Sequence, residues 1–278
     1  MDARRRPLSF AATTLLLVAT LAAGACSKMT FVRQDFGRKE FERTTPEVEV
    51  GGKAANRGAI EARKHLERAQ VRMMGGDYAA AEREARQALK LDPRSADAYT
   101  VLAAGAARRG ARDEAGQHYL RAAELAPENG AILNNYAVWL CSQGRAEESL
   151  GWFEKALVDR RYTTPSMALA NAGSCAIRAG RAARGERDLR KALELDPRNA
   201  TALAAMAELE FRRGNAFEAR AFSERRLSAA PADRGALQLA SQIEHKLGDT
   251  AAAARYVQRM RAEFPETQGS GMGDDGRR

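Results

Sequence analysis

From Ala62 to Thr267 apolar residues recur at intervals of three and four, and the runs are broken every dozen or so positions by glycine or proline. That period predicts short amphipathic helices, arranged in pairs and buried along one face, with no strand-like alternation between them. The stretch 96–129, ADAYTVLAAGAARRGARDEAGQHYLRAAELAPEN, shows the unit. Small side chains stand at its eighth, twentieth and twenty-seventh places (Ala103, Ala115, Ala122), glycine at the fifteenth (Gly110) and proline at the thirty-second (Pro127). Two helices cross closely only where their side chains are small. Glycine ends the first helix because it accepts a left-handed backbone, and proline stops the second. Asn129, last in the unit, is a good N-cap for the helix that follows.

The unit recurs. Its glycine column reads Gly76, Gly110, Gly144, Gly180, Gly214 and Gly248, at spacings of 34, 34, 36, 34 and 34 residues. The eighth and twentieth columns hold only alanine, glycine or serine. The twenty-seventh is alanine four times, then Arg226 and Met260, so the pattern loosens toward the C-terminus. Ser95, Asn129, Asn199 and Asp233 precede new units as N-caps, and Asn215 with Glu218 reads as a capping box for a second helix. This is the tetratricopeptide pattern. It predicts an all-α fold of six helix hairpins, 62–95, 96–129, 130–165, 166–199, 200–233 and 234–267, stacked in a right-handed superhelix with a concave groove. The third unit is two residues longer. It carries both tryptophans, Trp139 and Trp152, which read as core filling, and its longer connection is expected to project Arg160, Arg161 and Tyr162 at one edge as a contact surface.

The ends read differently. Arg4, Arg5 and Arg6, an apolar run from Phe10 to Ala22 and the small residues Ala23-Gly24-Ala25 make residues 1–25 a secretory signal peptide. The junction with Cys26 resembles a bacterial lipobox, with Ala23 where leucine is usual, and an ordinary signal peptidase would cut the same bond. On the lipoprotein reading Cys26 is lipidated, and Ser27 in place of aspartate implies the periplasmic face of the outer membrane. Residues 26–61 then form the lipidated N-terminus and a flexible tether, and the glycine-rich 268–278 a disordered tail.

Composition adds little to this. The net charge is +9, with basic residues spread along the chain, which suits a solvated face first, or else an acidic partner or an anionic membrane surface. An export signal argues against nucleic acid. No HExxH, GxSxG or phosphate-binding loop appears, and His65, His118 and His245 lie in different units, so neither catalysis, a metal nor a cofactor is expected. Cys141 and Cys175, on the first helices of adjacent units, read as small buried apolar side chains, because helix spacing often exceeds disulfide reach, although an oxidising compartment would allow a bridge. First helices of such hairpins face the groove. The expected lining includes Asn134, Asn135, Asn171, Ser174, Ile177, Arg178 and Phe211. Asn135 and Asn171 share the sixth column, where an amide either holds an extended main chain or is simply solvated.

Two stretches point further: Leu133-Asn134-Asn135-Tyr136-Ala137 through Gly144 and Glu147-Glu148, and Tyr162 and Pro165 followed by Ala170-Asn171-Ala172-Gly173-Ser174-Cys175. With the lipobox, tether and six repeats, they resemble the type IV pilus biogenesis and stability lipoproteins, the PilW/PilF pilot family. The resemblance implies a protein without catalysis or cofactor that binds the pilus secretin subunit and promotes its outer-membrane localisation and multimerisation. A second reading is an envelope adaptor for peptidoglycan enzymes or another outer-membrane assembly machine.

Overall fold

The computed structural model describes residues 53–265, and the predicted signal peptide, Cys26 and most of the tether and tail lie outside them. Twelve helices follow one another as six hairpins: α1 (Lys53–Met74) with α2 (Tyr78–Leu91), α3 (Ala96–Arg108) with α4 (Arg112–Leu125), α5 (Gly130–Ser142) with α6 (Ala146–Val158), α7 (Pro165–Arg178) with α8 (Ala182–Leu195), α9 (Ala200–Arg212) with α10 (Ala216–Ala229), and α11 (Arg234–Leu247) with α12 (Thr250–Glu263). The sequence reading started the first hairpin at Ala62 and called the preceding residues tether. Instead, α1 begins nine residues earlier, directly after Gly51-Gly52, because Lys53–Glu61 contains no proline and its glycine, Gly58, does not take the left-handed backbone that ends the first helix of each hairpin.

The turns follow the columns. All six column glycines have a positive φ, between 76° and 85°, and no other kind of residue does among those described. That left-handed step turns the first helix of each hairpin back onto the second. Ser95, Asn129, Asn199 and Asp233 each accept a backbone N–H of the helix they start, and Asp77 and Asp249 do the same for α2 and α12. The capping box at Asn215 is absent. Its amide is drawn away to the Glu210 carboxylate, 2.7 Å distant, which needs a donor because Glu210 is buried.

Packing is densest where the columns are smallest. In the fourth hairpin Gly173 and Gly185 face one another so closely that a Cβ on either would lie within 2.8 Å of the other's carbonyl oxygen. First helices of neighbouring hairpins touch one another along the whole series, whereas second helices meet only their sequence neighbours. The first helices therefore lie on the inside of the curve, and their exposed side chains line its concave face. The two tryptophans do fill the core. Both pack half-buried around Tyr136, with Trp139 also over Gly116 of α4, and they join the second and third hairpins.

Candidate binding groove

Helices α5 and α7 form the centre of the concave face. Asn134 is buried there, 5% exposed, and its side-chain carbonyl accepts the Asn171 amide at 3.1 Å. The sequence reading had matched Asn171 with Asn135 by column. The rotation between hairpins instead sets the fifth column of α5 against the sixth of α7, so Asn134 supplies the partner and Asn135 stands exposed beside the pair. The pair fixes Asn171 while leaving its carbonyl and one N–H for a ligand, and the whole amide of Asn135 remains open. Ser174, one turn further on, spends its hydroxyl proton on the Ala170 carbonyl at 2.8 Å.

Below the asparagine pair the cysteines overturn the expectation of separate apolar side chains. Cys141 and Cys175 form a disulfide, with S–S 2.05 Å and Cα–Cα 6.0 Å. The approach is possible because the helix surfaces around them carry Ala137, Ala172 and Ala176, all fully buried in one cluster with the two cysteines. That run of small residues was the sequence signal for the bridge. Arg178 reaches back across the joint, its guanidinium 3.6 Å from the Cys141 sulfur.

Toward the C-terminus the groove opens into a trough of about 640 Å³ between α7, α9 and α11. Ile177, Leu209 and Leu239 give it apolar walls, and Ala200, Ala204 and Ala205 a low floor. Gln238 and Gln242 supply amides, and Arg178 and Arg212 stand on one rim. Phe211, half-buried, lines a smaller adjoining hollow of about 380 Å³ with Ser241, His245 and Lys246. The structure therefore brings Asn134, Asn171, Ser174, Ile177 and Arg178 together on adjoining helices and places Phe211 in a separate recess. The trough was not foreseen as a cavity, since its emptiness comes from alanines that sequence reading assigns to packing.

The edge residues divide. Arg160 and Arg161 are exposed as expected, but the Tyr162 ring turns inward onto Gly130, where a Cβ would lie 2.9 Å from it. Asp159 holds the loop: its carboxylate accepts the N–H groups of Gly130 at 3.0 Å and Arg161 at 2.9 Å. Those backbone donors, with the Arg161 charge, hold its carboxyl below the ordinary aspartate range. Among the described residues no helix is long and apolar enough to cross a membrane.

No family model matches the chain. It is 29% identical over 127 residues to the type IV pilus assembly protein PilF of Pseudomonas aeruginosa; the match takes in 46% of this chain and spans only half the length of that relative. Among solved structures, PilW, described as a widely conserved type IV pilus biogenesis factor, superposes with a TM-score of 0.66 at 28% identity, over 78% of this chain and 97% of PilW. The structure of P. aeruginosa PilF gives the same TM-score at 23% identity, over 77% and 96% of the two chains. A tetratricopeptide repeat protein from Parabacteroides merdae, at 23% identity and a TM-score of 0.56 over 73% and 80%, shares the fold alone. The glycine turns, the inward first helices and these likenesses lead to one conclusion: this is an all-α tetratricopeptide-repeat protein, similar in sequence to PilF and in fold to both PilW and PilF.

Proposed function

We propose that the chain is a type IV pilus biogenesis factor that works by binding, and that its partner is the pilus secretin subunit, held in the concave groove. The observation that carries this reading is the likeness to two proteins described as pilus assembly or biogenesis factors, one of them superposing over nearly its whole length. The groove agrees with it. Asn135 and Asn171 present amides able to pair with a main chain, and they do so on helices that a disulfide and a partly buried hydrogen bond hold in place. Pre-organisation of this kind reduces the ordering cost of binding. On this proposal Cys26 carries lipid, the protein sits at the periplasmic face of the outer membrane, and it assists secretin localisation and multimerisation.

The test is capture of the secretin by the full-length chain. Asn135→Ala/Asn171→Ala is expected to lower capture by about tenfold, from the loss of two main-chain hydrogen bonds. Asn135 is exposed and Asn171 half-buried, so the helices should remain intact by circular dichroism. Undiminished capture would remove the groove amides from the account, and a secretin ring that assembles normally without this protein would remove the pilus reading itself.

A further inference from the structure

The two sides of the C-terminal trough differ in charge. At the first turns of α9 and α11 its wall is Thr201 and Gly235, both uncharged. The opposite rim carries the thirteenth column of the repeat, Arg178 and Arg212, and the row continues to Lys246 in the adjoining hollow, one cation per hairpin. Arg226 also borders the trough but is committed to Asp233 at 2.5 Å and to the carbonyls of Ala230 and Pro231. Arg212 has a single acidic neighbour, Glu208, one turn back on the same helix and exposed like itself. Arg178 and Lys246 make no ion pair among the described residues. The trough therefore holds a surplus of positive charge along one rim above an apolar floor.

Resting on the reading of this groove as the partner site, we infer that its C-terminal half selects an extended acidic segment, with carboxylates about three residues apart facing the rim and small or apolar side chains on the alanine floor. The spacing follows from geometry. Packed helices lie about 8–10 Å apart. An extended chain in the polyproline II form advances about 3.1 Å per residue with about three residues per turn, so every third residue returns to the same side and meets the next cation. Each carboxylate finds Arg178 or Lys246 unpaired, or displaces Glu208 from Arg212. Glu208 is the groove's own acid at this place, and it competes with the ligand.

The probe is a fluorescein-labelled decapeptide with glutamate at every third position and alanine or leucine between, read by anisotropy against the full chain in detergent. Its lysine counterpart and a version with glutamate at every second position serve as controls. The three-residue glutamate peptide should bind roughly tenfold tighter than the lysine peptide, with an affinity that falls as salt rises. Arg178→Glu/Arg212→Glu should lose that binding, and Glu208→Gln should tighten it about threefold. The last variant changes one exposed side chain, so it stays informative even if the double reversal unfolds. Equal binding of the lysine peptide, or a Glu208→Gln variant that binds no tighter, overturns the inference. Secretin capture measured in parallel separates the two ideas. Capture that survives Arg178→Glu/Arg212→Glu in a folded protein sinks the acidic rim and leaves the secretin reading standing. Acidic-peptide binding without any secretin capture upholds the rim and sinks the secretin.

Discussion

The joint between the third and fourth hairpins and the joint between the fifth and sixth are held by different chemistry. The first is small-residue packing closed by a covalent bond: Ala137, Ala172 and Ala176 let α5 and α7 approach until Cys141 and Cys175 bridge them, and the Asn134–Asn171 hydrogen bond lies beside the bridge. The second depends on charge. Arg220 of α10 grips the buried Glu244 of α11 through both carboxylate oxygens, and Arg226, in a column that is alanine four hairpins running, is only 9% exposed and reaches Asp233 at the start of α11. The loosening of the alanine column thus does not leave a hole. It exchanges a tight alanine contact for an arginine that caps the carbonyls ending α10. The repeat frame tolerates either solution because each hairpin needs only its neighbours.

The contrast can be broken from either side. Cys141→Ser/Cys175→Ser, or reduction, should give the largest effect. The bridge closes a segment of 34 residues, and releasing it costs about 3–4 kcal/mol of stability in the chain-entropy account. Hydrogen exchange should show the loss around α5–α8 while α10–α12 keep their protection. Faster exchange spread evenly over all twelve helices would mean that the joints are not independent. From the other side, Arg220→Ala leaves Glu244 buried without its partner and should destabilise by less than loss of the bridge does, confined to α9–α12. Replacing both by methionine should recover most of that, since a buried pair contributes little beyond what apolar packing supplies. A double variant as unstable as Arg220→Ala would show the charges to be needed in themselves.

What could be read from the sequence was whatever the 34-residue period controls: the glycine turns, the small columns, four N-caps and the inward set of first helices. What could not be read depends on rotation between hairpins. Asn171 looks equivalent to Asn135 in the columns, yet the twist gives it Asn134. The two cysteines stand in different columns, the twelfth and the tenth, and only the local run of alanines brings them into range. Tyr162 was expected outward beside two arginines. It turns in because Gly130 leaves a flat surface for its ring and Asp159 fixes the loop above. Asn215 has the sequence of a cap and is diverted by a buried carboxylate that no local motif announces.

Acid should sharpen the comparison with a smaller effect. Glu186 of α8 accepts from Arg213, 2.7 Å away just past the end of α9, and also from Arg190 on its own helix, and these bonds hold its carboxyl below the ordinary glutamate value of 4.5. A carboxyl lowered in the folded state contributes stability that is complete above the unfolded value and is lost as pH falls through the folded one. The joint between the fourth and fifth hairpins should therefore keep its full strength at neutral pH and weaken only below about pH 4.5. The Cys141–Cys175 joint carries one acid of this kind, Glu147 against Arg181 at its exposed edge, but the disulfide holds that joint whatever the pH. On acidification the exchange of α8–α10 should consequently rise before that of α5–α7. Glu186→Gln should flatten the acid response of α8–α10 while lowering stability at neutral pH by less than about 1 kcal/mol, since Arg213 is partly exposed and can turn to water. An acid response of the same size in Glu186→Gln would place the sensitivity elsewhere, and the next candidate is then Glu147, whose carboxyl Arg181 lowers in the same way across the third and fourth hairpins.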